Sequence, residues 1–101
     1  MWAVLWAGDY VAVIGCGAMG LMTLSGLRHS GAAELIAIDL SPERLKLAAK
    51  YGASRCLCPA ADDVDECVYE ITHGRGVDVV VEITGSLKGL RSDILYSPQL
   101  V

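Results

Sequence analysis

Tyr10-Val11-Ala12-Val13-Ile14-Gly15-Cys16-Gly17-Ala18-Met19-Gly20 is the stretch on which the reading of this chain turns. Tyr10 to Ile14 is a short, continuous apolar run, which suits a strand covered on both faces as in a parallel sheet. Ala18 to His29 carries Met19, Met22, Leu24 and Leu27 at helical spacing and runs into Ser30-Gly31, where a glycine cap is expected. Between strand and helix the glycines fit the pattern G-x-G-x-x-G. Gly15 allows a tight turn off the strand, Gly17 leaves the backbone bare, and Gly20 lets helix and strand close on each other. The orphan N–H groups at the positive end of the helix would then meet an anionic diphosphate. Glycines also crowd ordinary turns, so the flanking strand and helix carry as much of the inference as the motif.

Outward from there the chain alternates. Leu35 to Ile38 is a second buried strand closing on Asp39. Ser41 can cap the next helix, Pro42 suits its first position, and Glu43 favours its positive end; the helix runs to Tyr51 and stops at Gly52. Arg55 to Cys58 is a brief strand ended by Pro59, Asp62 to Thr72 a third helix, and Gly76 to Ile83 a fourth strand leaving through Thr84-Gly85. The series β-α-β-α-β-α-β predicts an α/β fold: a partial, Rossmann-like doubly wound parallel sheet of about four strands in the order 3-2-1-4. Residues 1–7 read as an apolar N-terminal extension, 8–90 as the dinucleotide-binding domain and 91–101 as a tail. A sheet stopped at its fourth strand would expose that edge and invite self-association, with Trp2, Val4, Leu5 and Trp6 able to cover part of the surface.

Asp39 lies 19 residues past Gly20, close to the spacing of about 20 for an acid that grips a ribose. A carboxylate accepts hydrogen bonds from both ribose hydroxyls and repels a 2′-phosphate, so NAD is expected over NADP. The plainer alternative for Asp39 is an acid at a helix N-terminus. Arg44 could pair with a phosphate or with Asp39 itself.

Taken with Gly8-Asp9-Tyr10-Val11, Ile38-Asp39-Leu40-Ser41-Pro42-Glu43-Arg44-Leu45, Tyr51-Gly52-Ala53 and Gly74-Arg75-Gly76-Val77-Asp78-Val79-Val80-Val81-Glu82-Ile83-Thr84-Gly85, the chain resembles the nucleotide-binding domain of zinc-dependent medium-chain alcohol and polyol dehydrogenases. The resemblance covers about residues 8 to 90. It implies that backbone groups of Ala18 and Met19 face the pyrophosphate, with the Met19 side chain near the nicotinamide. It further implies that Asp39 and Arg44 hold the adenosine ribose, and that Thr84 and Gly85 line the cofactor cleft. In that family a separate, mostly β domain supplies the catalytic zinc and substrate pocket, and nothing like it fits before Gly8. The expectation is a truncated piece that binds NAD, with zinc confined to the absent catalytic domain and no catalytic residue of its own.

Composition narrows the alternatives. The 101 residues hold 8 Lys and Arg against 12 Asp and Glu, a net charge of −4, which offers no basic footprint for nucleic acid or an anionic membrane. Hydrophobic residues make up 53%, enough for a core, and mean hydropathy is +0.45. Cys16, Cys56, Cys58 and Cys67 lack the rest of a secreted scaffold, and the chain reads as soluble and cytoplasmic. Cys16, at a helix start, has the position of a thiol with lowered pKa, although buried loop cysteines are commonly inert. Cys56 and Cys58 share a strand face and read as buried small apolar residues rather than a zinc site, for which only Cys67 is a plausible third ligand. His29 and His73 suit helix C-termini, and Asp62, Asp63, Asp65 and Glu66 a solvated helix start. Two other functions remain open: a non-catalytic dinucleotide-binding or redox-sensing module, and a methyltransferase fragment, which Val13-Ile14 in place of an acid before Gly15 disfavours.

Overall fold

Residues 11 to 14 alternate between two hydrophobic cores, and that alternation defines the molecule. Val11 and Val13 of strand β1 (Tyr10–Ile14) pack into one cluster, Ala12 and Ile14 into another on the opposite side. Strand β2 (Glu34–Ile38) divides the same way, Leu35 and Ala37 against Ile36 and Ile38. A period of two with both sets apolar is what a sheet buried on both faces requires. The computed structural model describes residues 8–83 and 99–100.

Helices α1 (Ala18–Leu27) and α2 (Pro42–Tyr51) cover the first face through Leu24, Leu27, Leu45 and Ala48. Helix α3 (Val64–Ile71) covers the second through Val64 and Val68. Strand β3 (Arg55–Leu57) pairs with β2, and β4 (Val79–Glu82) pairs with β1 on its other side, all parallel. The order 3-2-1-4 is therefore as expected. A fifth strand, β5 (Gln99–Leu100), then lies parallel to β4, with Val79 beside Gln99 and Val80 beside Leu100. The expectation that the sheet stops at β4 is corrected to that extent. Unpaired N–H and C=O groups along β4 are a template for any extended segment returning alongside, and two residues are too few to show a period in the sequence. Trp2, Val4, Leu5 and Trp6 lie outside the described residues.

Element ends shift for local reasons. Helix α3 starts at Val64 rather than Asp62, because two acids are consumed in the turn before it. Asp62 accepts the Cys58 N–H at 2.9 Å, which takes Cys58 off the ladder, and Asp63 caps the helix by accepting the Glu66 N–H at 3.1 Å. Strand β4 starts at Val79 rather than Gly76. Gly76 has φ +78°, and its N–H goes to the buried Thr72 hydroxyl at 2.8 Å. Helix α1 stops at Leu27, with Arg28 as its cap. At the amino end of the sheet, Tyr10 and Asp78 exchange bonds: the Tyr10 N–H reaches the Asp78 carboxylate, and the Asp78 N–H the Tyr10 carbonyl, each at 2.8 Å. Arg75 lies 3.7 Å from Asp78 and 5.5 Å over the Tyr10 ring. Among the described residues no helix is long and apolar enough to cross a membrane.

Candidate functional site

β1 is followed in chain order by β2 on one side and neighboured by β4 on the other, so the strand order reverses beside β1. In an open parallel sheet the crevice at that reversal, beyond the carboxyl ends of the strands, is where ligands are received. The loop Gly15–Gly20 occupies that place.

Each glycine of the loop answers to a different constraint. Gly15 has φ +97°, a conformation that L side chains rarely adopt, and its N–H is tied to the Ile38 carbonyl at 2.9 Å. A Cβ on Gly20 would run into the Gly15 carbonyl oxygen, so helix and strand close only over a hydrogen. A Cβ on Gly17 would meet nothing within 4 Å; it would stand in open space over the helix start. Gly15 and Gly20 shape the turn, and Gly17 leaves a cradle that a side chain would fill.

That cradle faces bare donors. Gly17 is the N-cap of α1, no side chain caps the helix, and no acid occupies its first turn. By contrast α2 is capped by Ser41, which accepts the Arg44 N–H at 3.3 Å, and carries Glu43; α3 is capped by Asp63 and carries Asp65 and Glu66. Ala18 and Met19 open the first turn of α1, and Met19 is 68% exposed with its side chain on the solvent side.

Asp39 closes the other flank. Its side chain is only 8% exposed, and both oxygens are engaged: one accepts the Cys16 N–H at 2.7 Å, the other the Ser41 N–H at 2.8 Å. Arg44, 60% exposed, lies 3.9 Å from the carboxylate. The structure thus brings Gly15, Gly17, Ala18, Met19, Gly20, Asp39 and Arg44 to one end of the sheet. Thr84 and Gly85 lie outside the described residues. An ionised carboxylate has about four acceptor positions, so Asp39 retains capacity for sugar hydroxyls beside its two amide bonds. Bare amides, open space at Gly17 and this acid fit a dinucleotide diphosphate and its ribose.

Leu40, immediately after Asp39, is 69% exposed, a large apolar side chain at the rim that the sequence reading passed over. The signal was there: an apolar residue falling between strand and helix, outside both periodicities.

The cysteines behave differently from one expectation. Cys16 is fully buried, its Sγ 3.9 Å from the Ile38 carbonyl oxygen, and its pKa is pushed up to about 12, first by burial and then by the Asp39 charge. The position does not give a thiol with lowered pKa, because burial and the Asp39 charge outweigh the Ile38 hydrogen bond and the Arg44 charge that favour the thiolate. Cys56 and Cys58 pack against the same core face as Cys16, whereas Cys67 packs against the other, so the sheet separates it from them. All four are free thiols. Among the described residues no group of three or more His, Cys, Asp or Glu could hold a metal ion.

Fold and loop together define a dinucleotide-binding α/β domain. A family model described as zinc-binding dehydrogenase matches residues 18–96, and the chain belongs to that family. It is 39% identical over 89 residues to an L-threonine 3-dehydrogenase of Caldanaerobacter subterraneus subsp. tengcongensis, covering 88% of this chain and 26% of that protein. It is 43% identical over 88 residues to a (R,R)-butanediol dehydrogenase of Bacillus subtilis, covering 87% and 25%. Among solved structures, the alcohol dehydrogenase of the hyperthermophilic archaeon Aeropyrum pernix superposes with a TM-score of 0.73 at 39% identity, covering 81% of this chain and 24% of that one. The chain spans about a quarter of the length of the relatives it matches.

Proposed function

We propose that this chain is the NAD-binding portion of an oxidoreductase that moves a hydride between an alcohol or polyol and nicotinamide. The observation that carries the reading is the pairing of an uncapped helix start, bared by Gly17, with the sheltered carboxylate of Asp39 beside it. The names of the relatives support the substrate class.

In this reading the N–H groups of Ala18 and Met19 hold the diphosphate, and the positive end of α1 favours its charge. Asp39 takes the two ribose hydroxyls, with Arg44 beside it, and discriminates against a 2′-phosphate by charge. Leu40 offers an apolar platform for the adenine. Met19, Thr84 and Gly85 line the path toward the nicotinamide end. Hydride acceptance and donation belong to the nicotinamide; this chain's residues orient the cofactor and shield it. No residue here is assigned a catalytic role, and we assign the zinc of the family's description to a part of the whole protein other than the described residues. Four free thiols support a cytoplasmic setting, where thiols stay reduced.

Calorimetry tests the proposal. NAD titrated into the folded chain should give saturable heat, with NADP at least about tenfold weaker because Asp39 repels its extra phosphate. Absence of heat at millimolar NAD would refute it. Alcohol-dependent NADH formation is the corresponding test for a longer protein that contains this domain.

A further inference from the structure

The Asp39 carboxylate is engaged on both sides without any sugar. One oxygen accepts the Cys16 N–H at 2.7 Å and the other the Ser41 N–H at 2.8 Å, while Arg44 is farther away at 3.9 Å and largely in solvent. Cys16 stands between Gly15, held at φ +97°, and Gly17, the N-cap of α1. Its amide is therefore part of the turn that aims the Ala18 and Met19 donors. The turn is also tied by the Gly15 N–H to the Ile38 carbonyl, by the Leu21 N–H to the Gly17 carbonyl at the helix start, and by a weak 3.9 Å contact from the Cys16 thiol. A glycine-flanked turn without its clamp is free to wander, and a ligand must then pay for ordering it.

We infer that Asp39 is a positioning residue for the phosphate subsite as well as the sugar's grip: through the Cys16 amide it holds the glycine turn in the shape that receives the diphosphate, so the two subsites are coupled through one carboxylate. This deepens the NAD reading and rests on it. The chemistry requires an acid. Both oxygens face N–H donors, and an amide in the same place would turn one of its two ends into a donor facing a donor.

The experiment follows the amide signals of Ala18 and Met19 while inorganic pyrophosphate, which has no sugar, is titrated into the full chain. In Asp39→Asn pyrophosphate should bind about tenfold more weakly, as expected for one lost charge-assisted bond, and the Cys16 amide should exchange faster with solvent. Ser41→Ala is the control: it removes the cap of α2 but keeps the Ser41 N–H on Asp39, so it should melt lower yet bind pyrophosphate as the parent does. If Asp39→Asn weakens NAD but leaves pyrophosphate untouched, Asp39 acts on the sugar alone and the inference falls. Should Asp39→Asn fail to fold, Asp39→Ala removes the acceptors without placing a donor against the Cys16 and Ser41 amides. A chain that unfolds on both substitutions also overturns the inference, because the acid would then hold the domain rather than the turn. A parent chain indifferent to NAD and pyrophosphate alike overturns the NAD reading itself.

Discussion

An alanine at position 17 would put its methyl into open space, whereas one at position 20 would drive it into the Gly15 carbonyl. Two substitutions that look the same in the sequence should therefore fail in different ways. Gly17→Ala should cost less than about 1 kcal/mol of stability while weakening NAD by about tenfold or more, because the methyl occupies the diphosphate's place. Gly20→Ala should cost about 3 kcal/mol, read by urea unfolding, with binding lost as a consequence of the displaced turn. Cys16 gives a third prediction at this scale. Its folded pKa lies above that of an unfolded thiol, so the unfolded chain gives up a proton that the native state keeps. The contribution is whole below the ordinary thiol value and declines as pH rises from there toward 12, at up to about 1.4 kcal/mol per pH unit. Burial pushes Cys56 and Cys67 up too, so Cys16→Ala should reduce the alkaline loss of stability without abolishing it. A variant whose unfolding midpoint falls as steeply as the parent's between pH 8.5 and 10.5 would contradict this.

Among the elements, α2 announces itself most fully. Ser41 caps it, Pro42 begins it, and Gly52 ends it with φ +129° and its N–H on the Ala48 and Ala49 carbonyls. Gly52 also marks where α2 meets α1, since a Cβ there would come within 2.7 Å of the Arg28 Cβ. Gly52→Ala should cost about 2 kcal/mol, combining strain with collision, while Ser41→Ala and Asp63→Ala should each cost about 1 kcal/mol; denaturant unfolding checks all three. The strands β1 to β4, their order and the three helices were legible because each rests on local chemistry: apolar runs, caps and glycines. The proposed site residues came from the glycine spacing, an acid at a fixed distance and the family resemblance. What the sequence concealed depends on who pairs with whom. Asp62 and Asp63 read as solvated charges but are turn and cap. Cys16 read as a candidate thiolate, because burial is invisible until the Ile38 carbonyl and the Asp39 carboxylate are seen around it. The two residues of β5 pair in parallel with β4, a partnership that no local pattern in the sequence announces.

At the scale of the whole molecule, ligand binding and folding should be linked. If NAD binds only the native chain, NAD at about 100 times its Kd should raise the unfolding free energy by about 2.7 kcal/mol, and NADP at the same concentration by clearly less. Scanning calorimetry with each cofactor measures this. An equal rise from both would remove Asp39 as the discriminating charge.

The reciprocal pair between Tyr10 and Asp78 sits at the opposite end of the strands from the glycine loop, about 16 Å away along five residues of β1. Thermal hardening and coenzyme preference can therefore be altered by separate sets of mutations. Substitutions around Arg75, Asp78 and Tyr10 would tune how hot the domain can run, while changes at the far pole would choose which nucleotide it carries, with little trade between the two.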